Sequence, residues 1–184
     1  GNRHNVGFMT ADAIVDHWRL GPWRKRFQAE TAEGAIDTAS GPVKLIVMKP
    51  QTFYNESGRA IGEAARFYKI PAERITVFHD ELDLAPGKFR LKTGGGHAGN
   101  NGLRSIMAHV PGDFRRGRIG IGHPGDKNQV TGWVLSDFPK ADQGWASELF
   151  DAIARALPLL LEGQSDAFQT KVTHLAPAPK PDPS

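Results

Sequence analysis

The stretch Gly94-Gly95-Gly96-His97-Ala98-Gly99-Asn100-Asn101-Gly102 constrains the fold more than any other part of this chain. Glycine at this density removes the steric cost of φ > 0 and lets another backbone or a ligand approach closely, while losing more entropy on folding than any other residue. A folded domain therefore needs a structural use for it. The run follows Lys88-Phe89-Arg90-Leu91-Lys92, which alternates as a strand does, and precedes residues 103–110, which read as a helix. Strand, glycine loop and helix N-terminus together make a place where an anion or polar ligand can meet backbone N–H groups.

The rest of the chain supplies an α/β framework for this loop. Val6, Phe8, Met9, Ala13, Ile14 and Trp18 recur at helical spacing, which predicts an amphipathic helix over about 6–20, ended by Gly21-Pro22. Trp23-Arg24-Lys25-Arg26-Phe27 is a basic cluster flanked by aromatics and reads as a solvated strand or loop edge. Residues 28–40 read as a short strand and a turn, and the β-branched run 43–49 as a buried strand stopped by Pro50. Ser57 is placed to cap a helix through Ile70 with Ile61, Ala64, Ala65 and Tyr68 inward, and 74–79 is the next strand. Strand, helix and strand in this order imply parallel pairing through a right-handed crossover. Further strands are expected at 118–122 and, more weakly, at 132–135, then a long helix over 141–162 kinked at Pro158 and a short one to about 174. Residues 1–175 form one domain with no internal repeat; the Pro-rich tail 176–184 is expected to be extended or disordered.

Composition narrows the chemistry. The 184 residues are 39% hydrophobic, enough for one domain with a sizeable core. A net charge of +3 permits a nucleic-acid partner without arguing for one, so the placement of the charges matters more. The chain has no cysteine, which excludes disulfides, thiol catalysis and cysteine metal sites and suits a reducing cytoplasm. No apolar run approaches the ~18–20 residues of a membrane-spanning helix, and no signal-peptide pattern is present.

Four constellations can carry chemistry. His4, between Arg3 and Asn5 at a helix start, is either a surface or capping residue or a base. His79-Asp80 ends a strand, where ligands gather in open α/β sheets. Asp80, Glu81 and Asp83 can equally cap a turn, and their spacing matches no recognisable metal site. Asn55, Asn100 and Asn101 can orient a water or donate to an oxyanion, or simply form turns. Lys88, Arg90 and Lys92 share one strand face, with Arg115, Arg116 and Arg118 as a second cluster; they make either a solvated face or a phosphate-binding surface. The glycine loop lacks the Lys-Ser/Thr of a P-loop, and no Gly-x-Ser-x-Gly elbow exists. Histidine activating a water is the simplest hydrolytic chemistry left.

Five ordered blocks give these residues a context. Arg3-His4-Asn5-Val6-Gly7, residues 49–58 (Lys-Pro-Gln-Thr-Phe-Tyr-Asn-Glu-Ser-Gly), His79-Asp80-Glu81-Leu82-Asp83-Leu84, the glycine loop and residues 119–125 (Ile-Gly-Ile-Gly-His-Pro-Gly) together resemble the bacterial-type peptidyl-tRNA hydrolase family. The resemblance implies a single-domain, three-layer α/β/α sandwich around a mixed, mainly parallel sheet. It also implies a monomeric cytoplasmic esterase, without metal or other cofactor, that frees a stalled peptide from the 3′ ribose of its tRNA. By position His4 matches the family's base and Asp80 the carboxylate that orients it. Asn55 and Asn101 match the amides that position water and the peptide end, with Tyr54 in the nearby wall. Lys92 and Arg118 match the residues that hold tRNA phosphate, and the glycines let the chain close over the peptidyl end. Tyr54 stands where the family pattern has Met, and Asn100 where a histidine is common. The family's N-terminal strand and Gly-Asn-Pro-Gly loop are expected upstream of Gly1. The competing readings are an RNA-binding relative without turnover on the same scaffold and, less favoured, a nucleotide-binding enzyme using the glycine loop.

Overall fold

The computed structural model describes residues 5–180, so His4, expected as the base, lies outside the described residues. The chain opens with helix α1 (Val6–Trp18) and then forms β1 (Arg24–Arg26), β2 (Ala29–Thr38) and β3 (Gly41–Pro50). These three strands make an antiparallel sheet in the order β1-β2-β3, and β2 pairs with β3 along its whole length, from Ala29↔Pro50 to Thr38↔Gly41. Residues 28–40 are thus mostly one long strand rather than a short strand and a turn. Gly34 and the polar residues around it hid the alternation, and the long partner ladder supplies the hydrogen bonds that local propensity does not. The basic cluster around β1 is a strand with all three residues exposed, as its composition suggested.

After β3 come α2 (Ser57–Tyr68), β4 (Thr76–Glu81), β5 (Phe89–Thr93), α3 (Asn101–His109) and β6 (Arg115–Gly120). The second sheet has the order β4-β6-β5, with β4 parallel and β5 antiparallel to β6. The expected single, mainly parallel sheet is therefore corrected. The described strands form two three-stranded sheets, and β4–β6 is the one parallel pairing among them. β3 is half-buried rather than buried, its ladder among the described strands is with β2, and β4 pairs with β6 instead.

The β4-β6-β5 sheet alternates between two apolar clusters. Phe78, Phe89, Ile119 and Ile121 join a core built with α1 and two C-terminal helices, α5 (Lys140–Leu161) and α6 (Ser165–Leu175). Ile75 and Val77 face a smaller cluster made with Leu103 and Ile106 of α3. Helix α2 buries Gly58, Ala60, Gly62 and Ala64, so the predicted inward stripe is rotated; Tyr68 remains exposed. In α1, Thr10 and Val15 are buried where Phe8 was expected, and the Thr10 hydroxyl donates to Val6 O at 2.7 Å. Residues 132–135 are not a strand. They belong to the short helix α4 (Val130–Leu135), which the Trp133 indole anchors by donating to Gly122 O at 3.0 Å.

Helix α5 runs through Pro158 as one element. Proline has no N–H to give to the carbonyl four residues back, which is Ala154 O. Ala154 is fully buried, and the Trp18 indole of α1 donates to that carbonyl at 2.7 Å. A break inside one helix becomes the bond that fixes another against it. Trp18→Phe keeps an aromatic side chain, smaller than the indole, but orphans a buried acceptor. It is expected to lower unfolding stability by about 1–3 kcal/mol, measured by denaturant titration. The tail runs from a buried Ala176 to Pro179, which packs on Gly87: a Cβ built there would meet Pro179 Cδ at 2.6 Å.

Candidate active site

The carboxyl end of β4, the glycine loop, the Tyr54–Glu56 turn and α4 enclose a cleft of about 460 Å³. Its lining includes Tyr54, Asp80, Asn101, Lys92 and Arg118, so five residues chosen from separate parts of the sequence meet in one place. Asn55 stands exposed on the Tyr54–Glu56 turn, one residue from the lining. A larger groove of about 740 Å³ runs between α1 and the start of α5. Asp12, Asp16, Asp137 and Asp151 wall it, it holds none of the expected site residues, and its charge disfavours a polyanion. Among the described residues no group of three or more potential ligands is disposed to hold a metal ion.

Register explains how the cations converge. Across β5 and β6, Lys92 stands opposite Arg116 and Arg90 opposite Arg118, while across β4 and β6 His79 stands opposite Arg118. Directly opposed residues share a face, so four cations crowd one side of the sheet. Like charges placed this way are unfavourable unless something offsets them. Arg118 has Glu81 at 4.0 Å. Arg116 is almost fully buried and forks onto the glycine loop, donating to Gly96 O and, at 2.6 Å, to Gly95 O; the Phe114 ring lies 4.9 Å from its guanidinium carbon. Burial lowers its pKa, but arginine stays charged, and a planar fork suits two neighbouring carbonyls. Arg115 points the other way and donates to Leu160 O near the end of α5 at 2.9 Å. The arginine cluster thus divides its work: Arg115 holds a helix end, Arg116 holds the loop, and Arg118 faces the cleft with Lys92.

The glycines are used for backbone shape and close approach. Gly95 has φ +100°, and a Cβ there would meet Lys92 Nζ at 2.7 Å, so the lysine lies along the loop. The loop ends at Asn100, whose side-chain oxygen accepts the Leu103 N–H at 2.9 Å and caps α3. Sequence reasoning saw the basic residues but missed the clamp made by Arg116, because a buried guanidinium needs tertiary partners to be recognised. It also missed α4 as a wall of the cleft.

Asp80 and His79 are both 7% exposed. The His79 ring bonds through Nδ1 to Asp80 O at 2.9 Å, and its Nε2 is shielded from solvent without a hydrogen-bond partner among the described residues. Desolvation lowers its pKa, outweighing the nearby carboxylates, so the ring is neutral near pH 7. With Nδ1–H donating to the carbonyl, His79 shapes the end of β4 and has no route to an open water. Burial, together with the charge of Asp80, raises the Tyr54 pKa well above the usual tyrosine range, so the phenol is a donor under all physiological conditions.

A carboxylate, amides and cations share one cleft of an α/β fold. The comparisons with known proteins give that arrangement a family. The peptidyl-tRNA hydrolase family model matches residues 1–180. The peptidyl-tRNA hydrolase of Maricaulis maris is 62% identical over 97% of this chain and 88% of its own length. That of Hyphomonas neptunium is 56% identical over 99% and 88%. The crystal structure of the Acinetobacter baumannii peptidyl-tRNA hydrolase superposes with a TM-score of 0.88 at 37% identity, covering 96% of this chain and 89% of that one. The chain belongs to the peptidyl-tRNA hydrolase family.

Proposed function

We infer that this chain hydrolyses the ester between a peptide and the 3′ ribose of its tRNA, with His4 as the general base and Asp80 as the carboxylate that orients it. Water attacks the ester carbonyl as His4 takes its proton; Asp80 holds the neutral tautomer beforehand and stabilises the imidazolium afterwards. Asn101 and Asn55 position the water and the peptide end, Tyr54 forms the adjoining wall, and the glycine loop closes over the peptide. The leaving group is a ribose hydroxyl, so the ester yields far more readily than the amides of the peptide.

The observation that carries this reading is the shared cleft of Asp80, Asn101, Tyr54, Lys92 and Arg118 in a member of this family. Gly7, which follows the Arg3-His4-Asn5-Val6 block in sequence, lies against β4: a Cβ on it would meet Phe78 O at 2.5 Å, two residues before Asp80. The enzyme works as a monomer on a layered α/β scaffold and in the cytoplasm; no described helix is long and apolar enough to cross a membrane.

The purified chain is expected to release peptide from peptidyl-tRNA in a single-turnover assay, and failure to do so overturns the reading. Lys92 and Arg118 hold phosphate. Lys92→Ala is expected to weaken tRNA binding and to reduce the slope of log K against log salt by about 0.7–0.9, the release of one counterion. Equal damage to small esters that lack tRNA would show that Lys92 does something other than hold phosphate.

A further inference from the structure

Most glycines of the loop are needed by the fold itself. Gly94, Gly95 and Gly99 have positive φ, and a Cβ on Gly102 would meet the Tyr54 ring at 2.8 Å. Gly96 is different: its φ lies outside the left-handed region, and a Cβ built on it meets nothing within 4 Å. Glycine also serves where a ligand must come close to the backbone. That is the use left for Gly96, which is exposed and lines the cleft.

Arg116 sets what the backbone offers there. Its fork takes the carbonyls of Gly95 and Gly96. Both peptide units are trans, the cis bond among the described residues being Gly21-Pro22. In a planar trans unit the N–H points opposite to the C=O, so the N–H groups of Gly96 and His97 are directed away from Arg116. Neither has a hydrogen-bond partner among the described residues. Lys92 Nζ lies beside the same loop at Gly95, and Arg118 lines the same cleft. Two oriented N–H donors with cations beside them favour an anionic oxygen over a neutral carbonyl. We propose that the N–H groups of Gly96 and His97 complete a phosphate site with Lys92, and that Arg116 is the residue that positions them. The ligand is a phosphodiester of the tRNA, and the bare backbone at Gly96 lets it reach the donors. The proposal rests on Lys92 facing tRNA phosphate.

The test is affinity for deacylated tRNA across a salt series in Gly96→Ala, Arg116→Lys and Lys92→Ala, with hydrolysis of a small N-acyl aminoacyl ester measured alongside. Alanine at 96 puts a methyl group into space the chain leaves open but in the path of the ligand. Lysine at 116 keeps the charge without the planar fork that takes two carbonyls at once. Both variants are expected to weaken tRNA binding roughly tenfold, the scale of one hydrogen bond to a charged group. Should Arg116→Lys fail to fold, Gly96→Ala decides. Neither variant removes a cation, so the slope of log K against log salt is expected to stay parental, in contrast to Lys92→Ala. Affinity within twofold of the parent in Gly96→Ala would overturn the proposal. So would a slope reduced by one counterion, which would mean that the methyl group displaces Lys92. Equal loss with the small ester would put the peptide on these donors and overturn it too. A Lys92→Ala variant with parental affinity and slope would instead remove the phosphate reading beneath it, so the two failures are separable.

Discussion

Replacing His4 with alanine is expected to slow single-turnover deacylation of peptidyl-tRNA by about 10²–10⁴-fold, the usual worth of a positioned general base. Binding is expected to change little, because the residues proposed to hold tRNA phosphate are Lys92 and Arg118. The competing candidate is His79, which is the direct sequence neighbour of Asp80 and lines the same cleft. Its geometry argues against it. Nδ1 is committed to the Asp80 carbonyl at 2.9 Å, and Nε2 is shielded from solvent, so this ring cannot take a proton from an attacking water. Desolvation has also lowered its pKa, which makes it a weaker base than an ordinary imidazole. A His4→Ala variant that retains the parental rate would refute the assignment. Loss of that rate on replacing His79 in a folded protein would move the role there.

The second large effect concerns stability. Gly58→Ala adds one methyl group, yet its Cβ would lie 2.1 Å from Ser105 O and 2.4 Å from Ser105 C. Both are backbone atoms of α3, so no side chain can turn aside. The same crossing holds two bonds to Ser105: Gly58 N–H donates to its Oγ at 2.9 Å, and His109 Nδ1 bonds its carbonyl at 2.8 Å. Forcing α2 away from α3 would strain the first, which joins the two helices; the second lies within α3. Overpacking costs typically 1–3 kcal/mol, and a clash with rigid backbone sits at or above the upper end, so a loss of about 3 kcal/mol or more is expected by denaturant titration. Gly58 follows the Tyr54–Ser57 segment that walls the cleft, so the surviving folded fraction should also show reduced activity. Stability within 1 kcal/mol of the parent would mean that the helices can separate at little cost.

The two expectations differ in what made them legible. Asp80, Asn101, Lys92 and Arg118, singled out by residue type and by the ordered motifs, line one cleft, while His4 lies outside the described residues. A strand end, a glycine loop and alternating cations are all visible in one dimension. The helices α1, α5 and α6 were equally legible, since an apolar stripe at helical spacing is a local signal. The long β2 strand was not, because its stability comes from a ladder with β3 rather than from its own polar, glycine-interrupted residues. β4 pairs with β6 rather than β3, against the parallel crossover expected from strand-helix-strand order, because pairing partners are chosen by contacts far apart in sequence. Helix α4 was misread for a related reason: six residues are too few for periodicity to separate a helix from a strand.

By itself the sequence determined the mixed α/β character of the chain, the family to which its ordered motifs point, and the chemical types available for catalysis. Those properties follow from residue identity and near-neighbour spacing. Tertiary structure decided which of the clustered arginines faces the cleft and which holds the glycine loop. It paired Trp18 with the carbonyl that Pro158 leaves without a donor, and it joined Tyr54 to Asn100. Each of these is a match between a donor and an acceptor far apart along the chain, and only folding brings such partners to within 3 Å or so of one another.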